Sequence, residues 1–544
     1  MKVFRCSVLR VVLVGIIFSG LSCVSQDIFS KVDPEVGRYS ARLVTFSDTN
    51  PALGVLSGTI DVVNALDESK VTDYRLYWGS GPATKLSGMI EGTPKTGAPV
   101  AFTLSNRTIP TAATYLLVYS YNAAEGELKY PTACVIIDLT DIGIYVDGAL
   151  GVDAIGNGTR TNPVATIQFG IARAAAEGYQ AVHVAEGTYL IDGDIDPIIL
   201  SEGISLYGGY QSVTWTRDLG LYASILEDNS TTEGTTGVGN PNRCIAAVGN
   251  LITNATTVNG FYINGNTLVG RAYTAGINCL NGASPFIVNC TINGGNALTR
   301  SSGIFTSNGS APLIRSSTID GGNAPEVRGI HNNTSAPIIA WNTINGGAGT
   351  NSAGIYNINS TPEINGNVID AGNGTNQVYG IYNDSSAGII RYNTVRGGFS
   401  AVNSYGIYNL DSGAVTIRQN DINGQGNPSG GPLNTYGIYN TNTSGTILNN
   451  TIHGGDLPGG GTLCVGIYSD LNSSPLIENN IINAGGNGAT ISRGIDLTNS
   501  LGTRIFNNRI DGGSGLSLST AVRLNTSDNV LICLLYTSDA ADEE

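Results

Sequence analysis

The chain has 544 residues, 73 of them glycine, with 13% charged residues and a net charge of −15. That glycine content, with few leucine- and lysine-rich periodic segments, excludes a mainly helical protein and favours turns and short strands. The acidity, with no lysine after Lys129, speaks against nucleic acid and anionic membrane surfaces as partners.

Residues 1–23 open with Lys2, Arg5 and Arg10, run apolar over 11–18 and close on Ser22-Cys23. The apolar run is too short to span a bilayer and reads as an export signal. Cys23 after small residues resembles a bacterial lipobox, although Gly20 stands where leucine is usual and Leu21 is one place late. The resemblance implies lipidation of Cys23, a membrane anchor through that lipid, and a tether over 24–33. It places the protein at the bacterial outer membrane or cell surface. Plain signal cleavage is the alternative, with a periplasmic or secreted product.

From about 34 to 140 the chain carries no repeat. Period-two alternation stands at 71–78 (Val-Thr-Asp-Tyr-Arg-Leu-Tyr-Trp) and 114–121 (Thr-Tyr-Leu-Leu-Val-Tyr-Ser-Tyr), with turn signals after each. About seven short strands in this length predict a small β-sandwich. The segment 109–122 resembles the late strands of fibronectin type III domains, with Tyr115 in the tyrosine-corner place. That resemblance implies a spacer or partner-binding module. Trp78, in mid-strand, reads as core rather than as a ligand-stacking residue.

At Ile144 the style changes. Tyr145-Val-Asp is followed by an Asp/Asn/Gly-rich loop and by a helical stretch with Ile167, Ile171, Ala174 and Ala175 on one face. A strand with Val182 and Val184 then leads to Gly187-Thr-Tyr. Capping groups at 162–166 open the helix and Gly178 stops it. This order resembles the N-terminal segment of right-handed parallel β-helix proteins of the pectate-lyase-like superfamily, especially exported bacterial ones whose β-helix has no assigned function. The resemblance implies that the helix caps the open end of a solenoid. Asp192, Asp194 and Asp196 alternate, and three carboxylates at spacing two are able to hold calcium; a solvated turn is the plainer reading. Asp153 and Asn157 are expected to fix their own loop.

The remainder is organised by Gly-Ile-Tyr-Asn, at 354–357, 380–383, 406–409 and 437–440, with looser copies from Gly276, Gly303, Gly329, Gly466 and Gly494. Spacings of 25–31 residues mark a repeat architecture. Each phrase reads as glycine for a bend, isoleucine for the core and asparagine for a turn. A second isoleucine stack runs from Ile292 to Ile510. Two places before its members stand Asn342, Asn367, Asn393, Asn420, Asn450, Asn480 and Asn508, with Cys290 and Ser317 on the first two rungs. They predict an amide ladder at a turn. The chain is therefore read as all-β: a right-handed parallel β-helix of about 14 coils over 143–532, regular from 276, with a helical cap and a preceding sandwich. Insertions at 427–434 and 456–461 follow the Gly-Gly pairs, so long loops gather on one edge.

Phe305, His331, Tyr356, Tyr382, Tyr408, Tyr439 and Tyr468 follow the inward isoleucine and should form an outward aromatic stripe. The stripe is either a sugar- or partner-binding surface or a self-stacking ladder that shields the sheet. Trp341, Gly366 and Tyr392 form a second column, in which the glycine between two aromatics suggests a slot for a sugar ring. Acids in the repeats are scattered singly, and lysine is absent from them. Hydrolysis by polysaccharide-cleaving β-helices needs paired carboxylates, and no pairing is visible; Asp370 beside Arg396 reads as a surface ion pair. Cys134, Cys244, Cys279, Cys290 and Cys464 lack metal-ligand spacing and read as buried thiols, with Cys279 and Cys290 the nearest pair.

Residues 521–532 begin a coil, whereas 533–544 match no rung and resemble translated adapter read-through, which implies a non-native tail and a natural chain continuing beyond 532. The expected function is an exported, lipid-anchored, monomeric scaffold that binds polysaccharide or a cell-surface protein. A polysaccharide lyase or hydrolase and a passive stalk are the alternatives. No cofactor is required, and calcium is the one ion this reading admits.

Overall fold

The computed structural model describes residues 39–538, apart from 47, 49, 51–53, 66, 82, 87, 129–130, 137–141, 155–156, 193–196, 231–241, 268–269, 401, 426–433 and 534–535. The leader with Cys23, the tether, Asp194, Asp196 and 539–544 lie outside the described residues.

The first unit is a pair of antiparallel sheets. One joins Ala41–Phe46, Val55–Ala65 and Val100–Thr108; the other is built on Asp73–Gly81 and Tyr115–Asn122, with short strands at their sides. Alternate residues of the two sheets meet in one buried cluster: Val44, Ile60 and Phe102 against Tyr74, Leu76, Trp78 and Leu116. Trp78 is thus core, as its mid-strand place predicts.

The second unit is a right-handed parallel β-helix. Among the described residues its three sheets hold 14, 13 and 13 strands, paired coil to coil, with Phe399–Ser400 and Asn403–Leu410 both pairing with Asn373–Asp384. In chain order within a coil these are a first sheet (Leu313–Arg315 is one strand), a second (Thr318–Asp320) and a third (Asn323–Asn333). The isoleucine column keeps register: Ile304 faces Ile330, which faces Ile355, which faces Ile381. Such a column of the sequence is therefore a column in space, about 4.8 Å per rung. The isoleucine stacks fill a single continuous core.

The helix Ile167–Glu177 packs on the first strands through Ile167, Gly170, Ile171 and Ala174. Ala175, expected on that face, is exposed. Gly170 takes the close contact instead, because a Cβ there would lie 2.7 Å from Val146 Cγ2. Thr166 accepts from the Phe169 N–H and Gly178 ends the helix at φ +78°. Asp153 Oδ1 accepts the N–H groups of Ala165 and Thr166 at 2.7 and 3.0 Å, pinning the preceding loop.

Hydrogen-bonded ladders hold the bends. Between the first and second sheets, the N–H and Nδ2 of Asn342 both donate to Asn367 Oδ1, at 2.9 and 3.0 Å, and the pattern repeats through Asn508. Between the third sheet and the first, the N–H of Ser335 donates to Ser360 Oγ, and that of Ser360 to Ser386 Oγ, each at 3.1 Å. The asparagine of Gly-Ile-Tyr-Asn is not a turn residue. Asn332, Asn357, Asn383, Asn409 and Asn440 point inward and pass an Nδ2-to-Oδ1 bond from rung to rung at 2.8 Å. Two places beyond an inward isoleucine is again an inward place, so period two required this. Cys244, Cys279, Cys290 and Cys464 are buried thiols, and Cys279 and Cys290 do not bond each other.

Cys533 ends the strand Leu531–Cys533, and Tyr536–Ser538 pairs with Arg509–Asp511.

Candidate functional site: a double tyrosine strip

The outward face of the third sheet carries two adjacent tyrosine columns. Tyr356, Tyr382, Tyr408, Tyr439 and Tyr468 form the expected one, in register. Tyr379, Tyr405 and Tyr436, the residues just before each glycine, form a second that was not anticipated. The signal was present in the triplet Tyr-Gly-Ile. It was hidden because strict alternation would not bring both tyrosines to the outer face; the irregular pairing at the glycine does.

The rings stack on each other. Centroids along the first column are 4.4, 5.4, 5.0 and 4.6 Å apart. The second column stacks at 5.1 and 5.2 Å, and the columns meet edge to face, as in Tyr379–Tyr382 at 5.0 Å. The second column is buried and the first partly so. Ring faces are consequently spent on neighbouring rings, and what the strip offers outward is about 20 Å of ring edges and hydroxyls. Asn351, Gln377, Asn403 and Asn434 line one side of it, half-buried and in register. Burial pushes the hydroxyls of Tyr379, Tyr382, Tyr405, Tyr408, Tyr436, Tyr439 and Tyr468 above the ordinary phenol range. They are neutral hydrogen-bonding groups at any physiological pH.

Both ends of the strip are closed by charge clusters. At one end the Arg328 guanidinium lies 3.7 Å from the Tyr356 ring centroid and reaches Glu326, which also binds Arg300. Phe305 and His331, expected on the exposed stripe, are buried there at 1% and 3% exposure. Burial, then Arg328 and Arg300, hold the His331 imidazole well below its usual pKa. At the other end fully buried Asp496 takes Arg493 at 2.6 Å and Arg523 at 3.1 Å.

The expected slot is filled. Trp341 and Tyr392 do share a column with Gly366, each in the left-handed region. A Cβ on Gly366 would lie 2.3 Å from Trp341 Cε3 and Cζ3, so the indole itself occupies the space above the glycine. Three acids of the second sheet close loops: Asp320, Asp370 and Asp511 each accept the N–H two residues on, as do Asn293, Asn345, Asn423 and Asn483. Asp370 faces Arg396 in register, but its carboxylate is used on Gly372 and no ion pair joins the two. Asp192 is half-buried.

Residues 373–532 match a family model described as a right handed beta helix region. A comparison with curated proteins finds no match. Among solved structures, the chain is similar to the mannuronan C-5 epimerase A-module of Azotobacter vinelandii, at 15% identity, covering 69% of this chain and 94% of that one, with a TM-score of 0.39. It is also similar to tailspike protein 2 of Escherichia coli bacteriophage CAB120 (13% identity, 77% and 52% coverage, TM-score 0.33). The surface protein and adhesin PfbA of Streptococcus pneumoniae is a third (12% identity, 68% and 95% coverage, TM-score 0.24). None of these likenesses bears on activity.

Proposed function

We propose that the protein is an exported bacterial surface or periplasmic scaffold, lipid-anchored through Cys23, that binds a glycan or a surface protein along the tyrosine strip. One observation supports this most: tyrosine hydroxyls and flanking amides repeat in register on a single outer face. Neutral hydroxyls and amides at a fixed rung spacing suit a polymer of hydrogen-bonding units. The test is a glycan array probed with the purified protein and with Tyr382→Ala and Tyr408→Ala. Binding lost in the variants, with a preserved melting profile, supports the reading. A reducing-sugar or unsaturated-product signal that vanishes with a single Asp→Asn would replace it with the lyase or hydrolase reading. The anchor is tested separately: palmitate labelling must disappear in Cys23→Ala.

A further inference from the structure

We infer that the outward face of the first sheet, at Asn365, Arg391 and Arg418, binds an oxyanion carried on a sugar ring. This site lies on a different sheet from the tyrosine strip and does not rest on that reading. The three residues occupy consecutive rungs in register, hence about 4.8 Å apart. Each presents a buried polar atom with no hydrogen bond: Asn365 Oδ1, Arg391 Nε and Arg418 Nε. Buried polar atoms are ordinarily satisfied, so three unspent ones on adjacent rungs mark a place prepared for a partner.

Charge points the same way. Arg391 is ion-paired to Glu363 on the preceding strand. Arg418 has no carboxylate partner among the described residues, and Glu478, two rungs further on, is used by the Asn479 amide. Two guanidiniums thus share one carboxylate in a chain whose net charge is −15. Side-by-side like charges repel, and an oxyanion bridging them removes the repulsion through forked N–H donors. Asn365 Oδ1 supplies an acceptor for a sugar hydroxyl. Trp341 and Tyr392 stand in the next column, at φ +59° and +57°, with the Arg391 guanidinium 5.9 Å from the Tyr392 ring centroid. A sugar ring resting on Tyr392 carries its carboxylate or sulfate to the two arginines.

Isothermal titration of the full chain at fixed ionic strength tests this with an oligogalacturonate, a dextran sulfate oligosaccharide, an unmodified dextran oligosaccharide and inorganic sulfate. At least one acidic oligosaccharide should bind and the neutral one should not. Arg418→Gln should weaken binding about tenfold or more, the scale of a charge-assisted hydrogen bond, and Arg418→Lys should fall between. Arg504→Gln removes the same charge from an exposed place on the same sheet and should change affinity less than about twofold. Tyr408→Ala should leave this binding intact whether or not the strip binds anything. No binding by either acidic oligosaccharide, equal loss in Arg504→Gln, or inorganic sulfate binding as tightly as the oligosaccharide overturns the inference.

Discussion

Asn393→Ala removes one rung of the amide ladder at the bend between the first and second sheets. Asn393 Nδ2 donates to the carbonyls of Ile364 and Arg391 and to Asn420 Oδ1, at 3.0, 2.9 and 3.0 Å. Its Oδ1 accepts the N–H and Nδ2 of Asn367 at 2.9 and 3.0 Å. The side chain is 2% exposed, so water does not replace these partners. The two Nδ2 protons are shared among three acceptors, so about four bonds at a net of about 1 kcal/mol each, weighted toward the stranded Asn367 N–H, give a loss of about 3–4 kcal/mol. Asn296→Ala is the matched control, because its amide bond to the Thr267 carbonyl at 2.9 Å is exposed; it should cost less than about 1 kcal/mol. Urea unfolding followed by near-ultraviolet dichroism of the stacked tyrosines reads both. A loss under about 1 kcal/mol for Asn393→Ala, or equal losses for the two variants, refutes the assignment of the ladder as a principal support of the coil.

Gly366→Ala should cost about 1–3 kcal/mol, because it adds a Cβ against Trp341 at a left-handed backbone position, and tryptophan emission should shift red as the indole is displaced. Arg328→Met should cost about 1–3 kcal/mol by removing the cation over Tyr356 and leaving Glu326 to Arg300 alone, read by thermal melting. Alkaline titration at 295 nm should show a late phenolate phase. The strip hydroxyls are raised in the folded state, so unfolded chain ionises first as pH passes 10. Stability is therefore full below that pH and falls above it, and the late phase should coincide with loss of near-ultraviolet dichroism. Phenols that all titrate near pH 10 in folded protein would contradict the burial described.

The solenoid was legible because one coil repeats: isoleucine at a fixed place, asparagine two before the second stack, and glycine pairs at the loop edge each declare one column. The helical cap was legible from Thr166, the apolar face and Gly178. What stayed hidden depended on geometry within a coil. The inward turn of Asn357 and its relatives was obscured by their turn-forming chemistry, and the second tyrosine column by the irregularity at glycine. Trp341 covering Gly366 was invisible, since composition shows that a glycine leaves room but not which neighbour takes it. The loop-closing role of Asp320, Asp370 and Asp511 was readable in principle: Asn and Asp interchange along that column, always two residues before a backbone N–H at the loop, usually glycine. The arginine pair on the first sheet was unreadable as a site, because its unspent donors are a property of packing.

The most direct measurement is glycan-array binding by the wild-type chain beside the Tyr382→Ala/Tyr408→Ala double variant, with thermal melts of both. The strip should give the wild type a discrete set of bound glycans and cost the folded double variant about tenfold or more in affinity, two aromatic contacts at about 1 kcal/mol each. Undiminished binding by the double variant, or no glycan bound by the wild type, contradicts the assignment of glycan binding to the strip.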